Sequence, residues 1–450
     1  MQFTNEAPDN YQKLEAFLKE HQSVKFIRLQ WIDYSNALRT RFVPVARCLQ
    51  IAGGKDHVRL AQNSMLIPIS TAPRIFSMSD HHETWTLCPD WSSLRLCGFH
   101  PNHATVMSFM NQDESETMFD KCPRALLVET LREVESAWAS RVLIGFEIEF
   151  VLLDESNNIV TPMDRLDGYS RTAGLRAETL DLVEEIVGAL EKSSIGIHHF
   201  HAEAYDQLEI SLAPETALNA IDSLVLAQET IRTICVRRKL KATMAPKATL
   251  TGPSTGVHLH LSLNRQDGAS KRDNTTLGNT DDFLAGILSH MGSLCAIGMA
   301  NYDGYIRSVS DCAGKWIGWG TDNRDLPVRK VSNSHWEFRM MDSTANPYLF
   351  ASALLLAAKD GIENNIEMTW KDCKLFPDLL DADGRASYGL NQSMPVSLKE
   401  ALDCLRNDSG LGERIPHDLL KWFMSVKDKE VEEFAKMSDE QRRLRFLRYF

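Results

Sequence analysis

Nowhere in the 450 residues is there a run of 18 apolar side chains, so no stretch reads as a membrane-spanning helix. The N-terminal residues carry acids rather than a basic stretch followed by an apolar one, and no signal peptide is expected. Positive charge is in deficit: 49 Lys and Arg stand against 61 Asp and Glu, a net charge of −12. A chain of that sign repels phosphate backbones at long range, so nucleic acid is not expected as a partner. The short basic runs at 237–239 and 442–443 close helical patterns, where they complement the helix dipole. No Cys-x-x-Cys occurs, and the cysteines number nine. That argues for reduced core thiols in a cytoplasmic protein rather than a disulfide framework. Repeats, low-complexity tracts and the glycine-rich phosphate loops of nucleotide-binding α/β folds are also missing.

What is present is ordinary globular composition, 43% hydrophobic and 24% charged, enough to bury a large core without staples. Residues 1–115 read as an opening helix (11–21) followed by short strands, including 24–31 and 105–110. The acidic stretch 111–120 is the linker candidate, and 116–450 a second, larger domain. Pro123 opens an amphipathic helix with Leu127, Leu131, Val134 and Trp138 on one stripe. Beyond it, strands are predicted at 142–153, 207–212, 257–263 and 337–341. Helices are predicted at 178–192, 217–240, 283–300 and 346–364. Two capping boxes, Ser397 with Glu400 and Ser438 with Gln441, open later helices. The order is α+β, without regular βαβ alternation.

The chemistry lies in the strands. Side chains two apart on a strand share a face. In the segment 145–150, Phe146, Ile148 and Phe150 take one side and Glu147 and Glu149 the other. In 257–263 the aliphatics oppose His258, His260 and Ser262. The pattern recurs with Glu337 and Arg339, and with Glu209 in 207–211, while Glu203 lies just upstream. Singly, each is the pattern of a solvated sheet face. Together, five carboxylates on one concave face repel unless cations neutralise them. Oxygen-rich sites with an occasional imidazole suit Mg²⁺ or Mn²⁺, so two divalent ions are expected if these strands share a sheet. Arg307, Arg324, Arg329 and Arg339 add guanidinium forks, which bind phosphate or carboxylate bidentately. Metals plus arginines suit phosphoryl transfer, where positioning and charge neutralisation do most of the catalysis.

Taken with their order along the chain, these segments resemble the glutamine synthetase superfamily. Gly-Phe-Glu147-Ile-Glu149-Phe is similar to its Gly-x-Glu-x-Glu-Phe strand. Pro246-Lys247, with His258-Leu-His260-Leu-Ser262-Leu eleven residues on, resembles its Pro-Lys-Pro…Met-His-x-His-x-Ser-Leu segment. Tyr305-Ile-Arg307, Asn323-Arg324…Arg329 and Glu337-Phe-Arg339…Asp342…Ala345-Asn-Pro-Tyr-Leu match further motifs. The runs 315–320 and 334–337 look like the fungal glutamine-synthetase-like branch. The resemblance implies a small β-grasp N-terminal domain before a catalytic domain with a curved antiparallel sheet. It also implies ring-shaped homo-oligomers with sites completed by the neighbour. It would place Glu149, Glu203 and Glu209 on one metal, and Glu147, His258 and Glu337 on a second at the phosphates of ATP. His260 and Ser262 would approach the nucleotide. Arg324, Arg329 and Arg339 would clamp the transferring phosphoryl and the substrate's γ-carboxylate. Arg307, with the Gly256 loop, would take the α-carboxylate end of glutamate.

Departures from the family pattern fall mainly in the other half of the site. Thr251-Gly-Pro253-Ser-Thr-Gly256 replaces the family's Gly-Asp-Asn-Gly-Ser-Gly, and Pro253 supplies no N–H. The flap glutamate after Arg307 is missing, with only Asp311 nearby, and no Asp-Gly-Ser-Ser loop is recognisable in the N-terminal part. Glu203 to Glu209 is one residue tighter than in most members. The expected activity is therefore ATP-dependent ligation of a carboxylate, glutamate foremost, to an amine bulkier than ammonia, with Trp316 and Trp319 as a candidate amine pocket. Plain glutamine synthesis is the runner-up, with Asp80 or Glu83 taking over the ammonium from a shifted loop. A regulatory or scaffolding protein without turnover is the reading from another class; retention of all six metal ligands argues against it.

Overall fold

The structure is a computed structural model, describing residues 7–70, 83–112, 120–166, 168–250, 254–265, 280–309, 313–332 and 334–450. Asp80, Thr251 to Pro253, Asp311, Cys312 and most of the 111–120 linker candidate lie outside these residues. The first sheet holds β1 (Phe26–Ile32), β2 (Leu38–Pro44), β3 (Val58–Ala61), β4 (Thr84–Pro89), β5 (Arg95–Leu96) and β6 (His103–Asn111). Its order is β2-β1-β6-β4-β3. The central pair β1 and β6 runs parallel and its neighbours antiparallel, the mixed sheet expected of a β-grasp unit.

The second sheet carries the chemistry. Its strands are β7 (Ser140–Leu153), β8 (Ile197–Ala202), β9 (Gln207–Leu212), β10 (Glu215–Thr216), β11 (Lys241–Thr243), β12 (Val257–Arg265), β13 (Trp319–Thr321), β14 (Val328–Ser332) and β15 (His335–Phe338). They are ordered β13-β14-β15-β12-β7-β9-β8, and only β13 and β14 pair in parallel. One face is apolar: Phe146, Ile148, Phe150, Leu259, Leu261 and Phe338 are completely or almost completely buried. Each such side chain contributes roughly 1.5–3 kcal/mol relative to exposure. Helices Pro123–Ala137 and Ala217–Arg237 pack against β7, and helix Pro347–Asn364 packs in turn on Pro123–Ala137 and Asp281–Ser289. No helix among the described residues is long and apolar enough to cross a membrane.

Buried polar contacts tie the two sheets together. Arg124 Nη2 donates to Asp90 Oδ2 at 2.7 Å and to Asp222 Oδ2 at 2.8 Å, and Tyr348 donates to Asp222 at 2.6 Å. Glu430 Oε1 accepts from Ser35 Oγ at 2.8 Å and from the Ile69 amide at 2.9 Å, while Lys427 pairs with its other oxygen at 2.9 Å. Removing one partner of such a buried charge would leave the other uncompensated, at a cost of several kcal/mol. All eight cysteines among the described residues are free thiols. Burial pushes Cys48, Cys97 and Cys235 up to about 12.

Three expectations need correction. The helix expected over 283–300 is two, Asp281–Ser289 and Met291–Gly298, broken at His290. Both ring nitrogens there are held, Nδ1 at 2.8 Å from Asp408 Oδ2 and Nε2 at 3.0 Å from Asp360 Oδ2. The strand expected at 337–341 is His335–Phe338, because the Arg339 amide turns to the Pro327 carbonyl. Glu400 reaches back to the amide of Val396 rather than Ser397, so only Ser438 and Gln441 form a complete capping box.

The His290 cluster sets a pH dependence. Burial alone would lower the imidazole, but the hydrogen bonds it donates to Asp408 and Asp360 raise it above its ordinary 6.5. A raised folded-state value contributes stability that is complete below the unfolded value and is lost as pH rises through the folded one. The melting temperature of the wild-type chain should therefore exceed that of His290→Gln most below pH 6.5, with the gap narrowing as the pH rises above it. A gap independent of pH would mean that the neutral ring does the work.

Candidate active site

Strand register assembles the polar face. In the β7–β12 pairing His258 is opposite Glu147, and in the β12–β15 pairing His260 is opposite Glu337. Glu149 is opposite Glu209 across β7 and β9, Glu209 is opposite His201 on β8, and Arg329 on β14 is opposite Glu337. Cross-strand partners share a face, so one surface collects Glu147, Glu149, Glu209, His258, His260, Glu337, Arg329 and Arg339.

At its centre, His258 Nδ1 lies 3.1 Å from Glu147 Oε2 and 3.3 Å from Glu337 Oε1, while Nε2 faces Glu149 Oε1 at 3.7 Å. His260 Nε2 is 3.1 Å from the other oxygen of Glu147. Ligand atoms of Glu147, His260 and Glu337 all fall within 4.8 Å of one another, a spacing one ion can bridge. A donor set of carboxylates with one or two imidazoles fits Mg²⁺ or Mn²⁺. Glu149 is fixed from the backbone, its Oε2 accepting from the Gly256 amide at 2.8 Å.

Electrostatics follow from this crowding. Burial, then the charges of Glu147, Glu149 and Glu203, pushes Glu209 up to about 9, the response of a carboxylate cluster without a counter-charge. Burial works the same way on Glu337, but Arg339 and then His258 and His260 outweigh it and hold that carboxyl at about 2. Glu147 is likewise held well below the usual range against burial by hydrogen bonds from His258 and His260.

The arginines differ in their settings. Arg329 Nη1 donates to Glu337 Oε2 at 2.9 Å, and Arg339 pairs with Glu337 Oε1. Arg307 is completely buried: Nη2 donates to the Arg339 carbonyl at 2.8 Å and sits 3.4 Å from His258 Nε2. Its Nε and Nη1 have no partner, two buried donors on different sides of the guanidinium. A Cβ at Gly256 would come within 2.5 Å of Arg307 Nη1, so glycine is what lets that guanidinium lie there. Arg324 is exposed, its guanidinium carbon 5.5 Å from the centre of the Tyr169 ring.

Residues 120–446 match the family model described as the glutamine synthetase catalytic domain. The chain belongs to that family. Among its relatives, Emericella nidulans Protein fluG is 29% identical over 96% of this chain, which spans about half (49%) of fluG's length. Type-1 glutamine synthetase 1 of Dictyostelium discoideum is 25% identical over 98% of the chain and 92% of its own. The γ-glutamylpolyamine synthetase GlnA3 of Streptomyces coelicolor is 27% identical over 90% of this chain and 89% of its own. Among solved structures, the GmaS/ADP complex superposes with a TM-score of 0.81 at 21% identity, covering 96% of this chain and 98% of that one.

Not every residue singled out on the glutamine synthetase pattern lies in the centre. Glu203 lies just past β8, its Oε2 2.8 Å from His201 Nε2. Ser262 is farther along β12, opposite His335. Trp319 pairs in register with Val328, on the opposite face from Arg329, and its ring meets Lys330; Trp316 packs against Arg385. These tryptophans therefore do not wall the carboxylate face. Conversely, sequence reading passes over His335, His199 and His201. His335 Nε2 is 2.9 Å from His260 Nδ1, and burial, then the charge of His260, pulls it down to about 4. Period two from Glu337 reaches His335, but His199 and His201 lie on β8, across a turn from Glu209.

Proposed function

We propose that this glutamine synthetase family member is an ATP-dependent ligase that joins a carboxylate, glutamate foremost, to an amine other than ammonia. The γ-phosphoryl of ATP passes to a carboxylate oxygen, giving an acyl phosphate and ADP. The amine nitrogen then attacks the carbonyl carbon and loses a proton as phosphate departs. Activation is needed because a carboxylate is a poor electrophile with no adequate leaving group. The observation that carries this reading is the register that places Glu147, His258, His260, Glu337, Arg329 and Arg339 on one face, while the ammonium-site acids of the family are not recognisable in the sequence.

In this reading, divalent ions held by Glu147, His258 and Glu337 and by Glu149, Glu203 and Glu209 would neutralise the phosphates and orient the acid. His260 and Ser262 approach the nucleotide. Arg324, Arg329 and Arg339 meet the phosphoryl and γ-carboxylate, donating where charge develops. Arg307, behind Gly256, takes the α-carboxylate. GlnA3, by its name a γ-glutamylpolyamine synthetase, supports an amine substrate, and the Dictyostelium relative supports ammonia as the competing nucleophile. The division at about residue 115, a cytoplasmic location and a ring-shaped homo-oligomer belong to the same proposal.

Phosphate release with ATP, glutamate and a panel of amines, ammonium included, tests it. At least one amine should exceed ammonium in kcat/KM by tenfold or more. If ammonium matches or beats every amine, the chain is a divergent glutamine synthetase. Turnover with none would favour the scaffold reading.

A further inference from the structure

Contrary to the sequence pattern, Arg442 and Arg443 do not close a helix. They lie in the first half of helix Asp439–Tyr449, and their side chains turn inward, 10% and 14% exposed. A guanidinium gives up its water only for groups that accept its hydrogen bonds, so the acceptors show what this helix holds. Arg442 Nε donates to Oδ1 of the buried Asp303 at 3.1 Å, and its guanidinium carbon lies 4.6 Å from the centre of the Tyr302 ring. Its Nη1 stays at the helix start, on the Met437 carbonyl at 2.7 Å. Arg443 Nη1 donates to the Ala248 carbonyl at 2.9 Å, while Glu440 accepts from Nε and Nη2 at 2.8 and 2.7 Å.

Both acceptors lead into the acid end of the site. Past Asp303, the Gly304 carbonyl accepts from the Arg307 amide at 3.1 Å, closing the turn that carries Arg307. Just before Ala248, the Pro246 carbonyl accepts from the amide of Thr255 at 3.1 Å, next to Gly256. The two connections meet where a Cβ at Gly256 would strike the Arg307 guanidinium. The same helix is anchored from its apolar side: Phe446 and Phe450 share a buried cluster with Ala245 and Ala248. The Phe450 carbonyl also accepts from the Met244 amide at 2.8 Å. One helix thus grips both walls of one subsite. Glu337 and Arg329, by contrast, are held by the pairing of β12, β15 and β14.

We propose that helix Asp439–Tyr449 sets the acid subsite, with Arg442 and Arg443 as positioning residues that fix Arg307 and Gly256 without touching substrate. The inference rests on the proposed function in taking those two residues as the α-carboxylate end. A displacement of about 1 Å at such a contact costs up to about a hundredfold, so slack in either connection reads out as lost affinity for the acid.

The test is steady-state kinetics of the full-length chain with ATP, glutamate and the best amine. Arg443→Gln should raise the KM for glutamate about tenfold or more, while the KM for ATP stays within about threefold. Arg442→Gln should act in the same direction, and Arg442→Lys should recover part of the loss by returning a cation to Asp303. Arg442→Gln strands a buried carboxylate and can fail to fold. Arg443 meets only a neutral carbonyl and the half-exposed Glu440, so its variant decides. An unchanged glutamate KM in Arg443→Gln, or both KM values rising together, would overturn the proposal. If the wild-type chain releases no phosphate with any amine, the ligase reading falls and calorimetric titration with glutamate decides this one. Binding about tenfold weaker in Arg443→Gln then supports it, and equal or absent binding overturns it.

Discussion

Arg339→Ala is expected to lower turnover about a hundredfold or more, near 3 kcal/mol of transition-state stabilisation, while the KM for ATP stays within a few-fold. Arg339 stands two residues beyond Glu337, in ion-pair contact with it, on the face where we place the transferring phosphoryl group. Charge there grows during transfer, so a fixed guanidinium stabilises the transition state more than bound ATP. The variant does not strand Glu337, because Arg329 remains at 2.9 Å. Arg339→Lys should recover part of the loss, since it keeps the charge without the fork. Turnover and ATP affinity falling together would assign Arg339 to ground-state binding instead.

The second large effect is on stability. Helices Asp281–Ser289 and Pro347–Asn364 touch where Gly286 faces Gly361. A Cβ on Gly286 would be 2.3 Å from the Ala357 carbonyl oxygen and 2.7 Å from Gly361 Cα. Backbone cannot step aside as a side-chain end can, so Gly286→Val has to separate the helices. It should cost about 3 kcal/mol or more, read as a lowered midpoint in urea or on heating. Gly188 is the internal control. It lies in helix Ala177–Lys192, and a Cβ there would meet nothing within 4 Å, so Gly188→Ala should stabilise by roughly 0.5–1 kcal/mol. Equal midpoints for Gly286→Val and wild type would mean that the crossing is looser than it looks.

Alternation makes the centre legible before any fold is known. Glu147, His258, His260 and Glu337 sit on strands whose other faces are unbroken apolar series, and β9 at Gln207–Leu212 keeps its expected bounds. What stays hidden has physical causes. β8 reads Ile-His-His-Phe-His-Ala, too polar to announce a strand, so His199 and His201 escape notice. β13 has three residues and is specified by its partner rather than by its own pattern, so the sequence alone does not say which way Trp319 faces. The break at His290 depends on Asp360 and Asp408, distant in sequence, and local helix propensity carries no trace of it.

The placement of residues on strands and loops also bears on how this chain can diversify. The residues we assign to metal and phosphate lie almost wholly on β7, β9, β12, β14 and β15, where an insertion of one residue would turn the next side chains into the core. Gly256, Arg324, Tyr169 and Glu203 lie on connections outside those strands, where length and sequence can drift at little thermodynamic cost. A lineage built this way can exchange one acid or amine for another repeatedly while its phosphoryl chemistry stays fixed. Innovation in substrate should then leave thermal stability nearly untouched, and innovation in metal should not.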